Sequence, residues 1–354
     1  MQCAYDITRS YEENFERGPF FARTDFSAPN TPPKQFLGLS VRSRMGIAAG
    51  LLLNSRWLLA YAARGFDLLT YKTVRSRARP SHPQPNWVFV EDDGKTDGPV
   101  FVTEQTSSLP DAARRISSAI CFGMPSMAPE WWREDVARAK AGLGAGQLLI
   151  VSVVASPEPG WTTAQLAADY AQCAAWAAAA GADVIEANLS CPNLCPADGP
   201  VYWDTALSRE VAQRIRDGIG SVPLLLKVGQ FEEENMQRNF LRAVADRAQG
   251  ITVANNVSRP VLHRDGRPVF GSQHEKAGVV GRLIHEPAVA SVRVARRILT
   301  EEGLGLSIAA VGGVASTEDA ADFFEAGADA VMMGGAPMYL PDLAAEIKTA
   351  HPEW

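Results

Sequence analysis

Cysteine is scarce here: 5 in 354 residues, at Cys3, Cys121, Cys173, Cys191 and Cys195. An odd number in a long chain argues against a disulfide framework and predicts a reducing, cytoplasmic setting. There is no C-x-x-C pair. Cys191 and Cys195 lack the second pair or the His that a zinc site needs, so no metal site is expected. No four-cysteine set exists for an iron–sulfur centre. Positive charge is not in excess either: 34 Lys+Arg face 40 Asp+Glu, for a formal net charge of −6. No global basic field draws the chain to nucleic acid or to anionic membranes. Long apolar runs are also missing. Uncharged apolar stretches such as 45–55 and 170–182 are too short to span a bilayer. The first residues show no basic segment followed by an apolar core, so no signal peptide is predicted. Disorder is excluded, since 46% of residues are hydrophobic and only 21% charged.

What is present is a recurring unit: a short apolar run, a turn of small residues, a helical stretch, then Gly. The candidate strands are 45–49, 67–73, 147–155, 183–188, 223–228, 250–255, 307–311 and 330–333. Several are almost wholly apolar, as strands covered on both faces should be. The helical patterns between them cover 55–64, 130–141, 162–180, 208–218, 232–248, 287–302, 317–326 and 342–350. Ala180-Gly181-Ala182-Asp183 and Ala326-Gly327-Ala328-Asp329 repeat one another where a helix hands over to a strand.

Eight strands alternating with eight helices predict an α/β protein with a (β/α)₈ TIM barrel. An open doubly wound sheet would want Gly-x-Gly-x-x-Gly after its first strand, and Ala48-Ala49-Gly50-Leu51 does not supply it. The expected organisation is one domain: a leader over 1–44, packed across the barrel's bottom, and a barrel over 45–354. Between the second and third strands lies a long insertion, 74–146, with a hairpin across Glu91–Gly98.

Barrel enzymes carry their reactive groups at the C-terminal ends of strands. The seventh and eighth strands end in Gly312-Gly313 and Gly334-Gly335. Paired glycines let backbone N–H groups approach an anion, and these are the two loops where barrels bind phosphate. The second and fifth strands end in Lys72 and Lys227. An ammonium there is costly to bury unless it meets an anion. Asn188, Asn193, Asn255 and Asn256 ring the same mouth, each offering a donor and an acceptor. Cys191, in the loop after the fourth strand, can serve as base or nucleophile if suitably tuned. Each feature also has a plainer use as a turn, a cap or a buried small residue. The set is more telling than its members.

The ordered set resembles the dihydroorotate dehydrogenase family. Asn188-Leu189-Ser190-Cys191-Pro192-Asn193 carries the likeness. Tyr71-Lys72-Thr73, Leu226-Lys227-Val228, Val253-Ala254-Asn255-Asn256, Gly278-Val279-Val280-Gly281 and Val311-Gly312-Gly313 support it in order. The resemblance implies an FMN-dependent oxidoreductase. The FMN phosphate would rest on Gly281, Gly312, Gly313, Gly334 and Gly335. Ala48 and Gly50 would line the flavin ring. Lys72 and Lys227 would contact it, with Thr73, Asn188 and Val253 completing the cofactor set. Cys191 would act as general base while a neighbouring carbon delivers hydride to flavin N5. Asn188, Asn193, Asn255 and Asn256 would hold the substrate. A Cys base matches the soluble branch, and a homodimer is implied.

Two departures stand out. Where that branch has Asn in a loop of the insertion, this chain has Ile120. At the second Asn position it has Ser126. A substrate contact is therefore altered, and the expected substrate is dihydroorotate or a related cyclic amide. Fumarate, quinone, NAD, oxygen or a partner flavoprotein are all open as oxidant. Two further readings stay open at this stage: a flavin-free lyase or isomerase using Lys227 as a Schiff-base residue, and a flavin-binding protein without turnover.

Overall fold

The computed structural model describes residues 3–22, 26–95, 97–103, 114–191 and 199–354. A short hairpin, β1 (Lys34–Phe36) and β2 (Leu39–Val41), precedes a closed barrel. The barrel strands are β3 (Met45–Ile47), β4 (Leu68–Val74), β8 (Leu148–Val153) and β9 (Val184–Asn188), then β10 (Leu224–Lys227), β11 (Gly250–Val253), β14 (Ser307–Val311) and β15 (Ala330–Met333). They close in that order, every neighbouring pair parallel. The predicted barrel is present.

Helices link the strands as the periodicity indicated. They are α2 (Ser55–Ala62), α3 (Pro129–Gly142), α4 (Thr163–Ala179), α5 (Thr205–Ile219), α6 (Glu234–Val244), α7 (His285–Glu302), α8 (Thr317–Glu325) and α9 (Leu343–Ala350). Each helix turns an apolar stripe to the sheet. In α5, Asp204 caps the N-terminus and Val211, Ala212, Ile215 and Ile219 are buried.

Alternation along each strand decides what fills the barrel. Leu68, Leu148, Val184 and Leu225 pack together at the lower end, closed from below by Phe36 and Val41 of the hairpin. The inward face then turns polar toward the top: Thr70 and Lys72 on β4, Glu186 and Asn188 on β9, Lys227 on β10. Every one of them is buried. Beneath the barrel, the Asp67 carboxylate accepts from Ser43 Oγ at 2.6 Å and from Lys348 Nζ at 2.8 Å, tying α9 to the barrel floor.

The rest of the leader does not lie across the bottom as expected. Its helix α1 (Tyr11–Arg17) and buried Tyr5 sit toward the opposite rim. The Tyr5 ring packs 5.2 Å from Trp87 and 5.7 Å from Phe122. The rim offers this ring a cluster of aromatic partners: Trp57, Trp87 and Phe122.

A second sheet stands over the C-terminal end: β5 (Trp87–Val90), β7 (Ser117–Ile120), β13 (Lys276–Gly281), β12 (Val257–Leu262) and β6 (Val100–Phe101), in that order. The expected hairpin exists, with Glu91 N donating to Phe101 O. The insertion does not stand alone, however. Two of its five strands come from an excursion over 257–281, between β11 and α7, that the strand count did not register. Val90, Val100, Ala119, Val261 and Val279 form this sheet's own core. Among the described residues no helix is long and apolar enough to cross a membrane.

Candidate active site

The barrel mouth and the second sheet enclose a cavity of about 1010 Å³. That volume has room for a cofactor and a small substrate together.

One end of the cavity is lined by glycine backbone. Gly281, Gly312, Gly313, Gly334 and Gly335 all border it. Gly313 holds φ +67°, and a Cβ there would strike the Gly281 carbonyl and the His285 side chain. Gly281 at φ +96° would strike Ile116. Only glycine leaves these N–H groups open to a ligand. The α8 N-terminus follows Gly313 after a short turn, capped by Ser316. His285 steadies this end: its Nδ1 is 2.9 Å from Gly312 O and its Nε2 is 2.9 Å from Asp322 Oδ2.

Lys72 and Lys227 line the floor, each nearly sealed from solvent at 6% and 3% exposure. Neither ammonium has an ion-pair partner among the described residues. Burial, then the charges of Arg75 and Lys227, push the Lys72 amine down to about 7, and only Cys191 acts in the opposite sense. Two buried lysines on one cavity floor form a site that a planar anion would hold in the charged form. Ala48 and Gly50 line the same floor, and a Cβ on Gly50 would meet nothing. Thr73 borders the cavity but donates its hydroxyl to Ser152 Oγ at 3.1 Å. Val253 does not border it. It is fully buried in the wall, and Ala254 takes its place at the surface.

Cys191, half-buried, lines the cavity after β9. The stem of its loop is fixed. Asn188 Oδ1 accepts from Ser190 Oγ at 2.8 Å, and Ser190 Oγ accepts from Asn255 Nδ2. Tyr170 donates to Asn188 O at 2.7 Å. Asn255 and Asn256 reach the cavity as expected. Gly278 supplies the space for Asn256, since a Cβ would run into that side chain. Asn193 and Cys195 lie outside the described residues.

The roof carries the departures. Ile120 sits at the end of β7 and lines the cavity, so an apolar surface stands where the resemblance placed an amide. Ser126 does not replace that contact. Its hydroxyl accepts from Arg75 N at 3.1 Å and donates to Met127 O at 2.9 Å. Sequence reading missed Arg75, a residue 3% exposed whose guanidinium donates to Ala155 O and Met124 O. Its signal was a basic residue three positions beyond Lys72, at the end of the same strand. Tyr202, Tyr339, His82 and His274 also line the cavity unannounced.

Fold and mouth together define a (β/α)₈-barrel protein with its working cavity at the C-terminal end of the strands, where barrel enzymes do their chemistry. Comparison with known proteins gives the family. The dihydroorotate dehydrogenase family profile matches residues 144–350. The chain is 33% identical to a dihydroorotate dehydrogenase of Dictyostelium discoideum, over 96% of this chain and 95% of that one. It is 27% identical to a dihydroorotate dehydrogenase (quinone) of Clavibacter michiganensis subsp. michiganensis, over 83% and 77% of the two chains. A solved structure of DHODH in complex with ferulenol from Eimeria tenella superposes with TM-score 0.68 at 16% identity, covering 88% of this chain and 81% of that one. This last likeness speaks for the fold. The chain belongs to the dihydroorotate dehydrogenase family. It is accordingly an oxidoreductase of the flavin-dependent class that acts on CH–CH bonds.

Proposed function

We propose that the chain interconverts a C–C single and double bond next to a carbonyl, in dihydroorotate or a related cyclic amide, with FMN as its redox group. The observation that carries this reading is the pair Lys72 and Lys227: two buried ammonium groups, without an ion-pair partner among the described residues, on the floor of a cavity whose end is glycine backbone. The chemistry of that lining fits FMN. Gly281, Gly312, Gly313, Gly334 and Gly335 would take the phosphate, and Lys72, Lys227, Ala48 and Gly50 the ring. Bound FMN supplies the hydride acceptor.

The chain's own residues do the rest. Cys191 takes the proton from the substrate carbon beside the carbonyl. Asn188, Asn255 and Asn256, with Asn193, hold the substrate's amide edge or carboxylate. Lys227 steadies negative charge in the ring pocket. Ile120 gives the substrate an apolar neighbour, which favours a substrate lacking a polar group at that edge. Residues 1–44 act as a leader to the 45–354 barrel, sharing its core through Tyr5 and Tyr11. The enzyme works as a cytoplasmic homodimer.

Purified protein should be yellow and release one FMN per chain on denaturation. A colourless protein that cannot be reconstituted with FMN contradicts the proposal, and so revives the flavin-free barrel reading.

A further inference from the structure

Three side chains on the outer wall of the cavity have no part in the chemistry above. His82 comes from the turn after β4, Cys121 from the residue following β7, and His274 from the loop before β13. Their ligand atoms all lie within 4.8 Å of one another. His82 Nδ1 is 3.4 Å from Cys121 Sγ. The edge of a tetrahedral zinc site between a nitrogen at ~2.05 Å and a sulfur at ~2.3 Å is about 3.5 Å long. The two imidazoles stack, with centroids 4.1 Å apart and planes at 18°. All three residues are half-buried and line the cavity.

Backbone structure holds the cluster in place. His82 N donates to Phe122 O at 3.0 Å, and Cys121 N donates to Asn86 O at 2.9 Å. Gly123 lies against the His82 ring so closely that any Cβ would collide with it. The loop is thus shaped around the imidazole.

We propose that His82, Cys121 and His274 form a binding site for a borderline divalent cation of the Zn²⁺ kind. Imidazole and thiolate are the donors such ions select over Mg²⁺ or Ca²⁺. Binding drives the Cys121 proton to solvent, and the thiolate offsets part of the cation's charge. His274 turns out of the stack so that its lone pair meets the ion. The fourth position opens on the cavity next to Ile120, where a water or an anionic ligand completes the tetrahedron. No motif spacing betrays the site, because its ligands come from two separate insertions that only the second sheet brings together.

The test is zinc stoichiometry after dialysis, followed by zinc-edge X-ray absorption on the purified holoprotein. Flavin is silent in both, so failure here leaves the redox proposal untouched. The expected result is one Zn²⁺ per chain, with one sulfur at ~2.3 Å and nitrogens at ~2.0–2.1 Å. Cys121→Ser should remove the sulfur signal. His82→Gln and His274→Gln should each weaken binding at least ~10-fold, the loss already typical of outer-shell partners. Cys191→Ser, whatever it does to the redox reaction, should leave the zinc stoichiometry and the sulfur signal in place. His274 sits on a loop, so its variant carries the test even if Cys121→Ser fails to fold. No stoichiometric zinc, a shell without sulfur, unchanged affinity in His274→Gln, or a sulfur shell lost only in Cys191→Ser would each overturn the site.

Discussion

Asn255 donates its side-chain amide to the Ser190 hydroxyl, joining the end of β11 to the loop that carries Cys191. The hydroxyl in turn donates a hydrogen bond to Asn188 Oδ1 at 2.8 Å. One short chain of hydrogen bonds therefore runs from β11 to β9, and its middle member, Ser190, lies one residue before the proposed base. Leu189 N adds a bond to Lys227 O at 2.9 Å. The base rides on a braced stem, not on a loose loop.

Ser190→Ala breaks that brace without touching the thiol. Flavin should remain bound. Reduction of the flavin by substrate should slow by up to ~100-fold, the cost of a base displaced by about 1 Å. Stopped-flow reduction with unchanged flavin content checks this. An unaltered rate would mean that the loop is positioned by other contacts.

Cys191→Ala should also keep its flavin, because no part of the glycine cradle involves that residue. Its reductive half-reaction should fall ~10²–10⁴-fold, the usual contribution of a general base. Normal reduction kinetics in this variant would remove Cys191 from the role.

Gly313→Ala should act in the opposite way. The residue sits at φ +67°, and a methyl group would meet the Gly281 carbonyl. The cradle must open, so the protein should be purified largely without FMN while its thermal midpoint falls only modestly. Full FMN occupancy in this variant would place the phosphate elsewhere.

Lys72 supplies a prediction in pH. Its folded pKa is about 7 against 10.5 in the open chain. Between those values the unfolded chain binds the proton and the folded one does not. Stability of flavin-stripped protein should therefore rise with pH across this window, by at most ~1.4 kcal/mol per pH unit. Lys72→Met should flatten that rise. Denaturant melts at pH 7 and pH 9 measure the difference, and an equal slope in both proteins would refute the assignment.

The barrel was legible because its signals are local. Apolar strands such as 147–155 and the handover at Ala180-Gly181-Ala182-Asp183 are written in adjacent residues, and Lys72, Lys227 and the glycine pairs fall at strand ends by the same count. What escaped is non-local. The strands at 257–262 and 276–281 are stable only beside β7 and β6, so nothing in their own pattern revealed the second sheet. Val253 was read one residue off the surface, because the strand end that meets the cavity is Ala254. The path of the leader depended on which aromatic rings Tyr5 finds, and those rings lie far along the chain.

The most direct test is anaerobic flavin bleaching. Purified, FMN-loaded protein is mixed without oxygen with dihydroorotate and a panel of related dihydropyrimidines and cyclic amides, and the flavin absorbance is followed. At least one member should bleach the flavin in a single exponential and yield its unsaturated product in a 1:1 ratio to FMN, about as one hydride per flavin requires. A flavin that stays oxidised against dihydroorotate and the whole panel would contradict the proposed reaction.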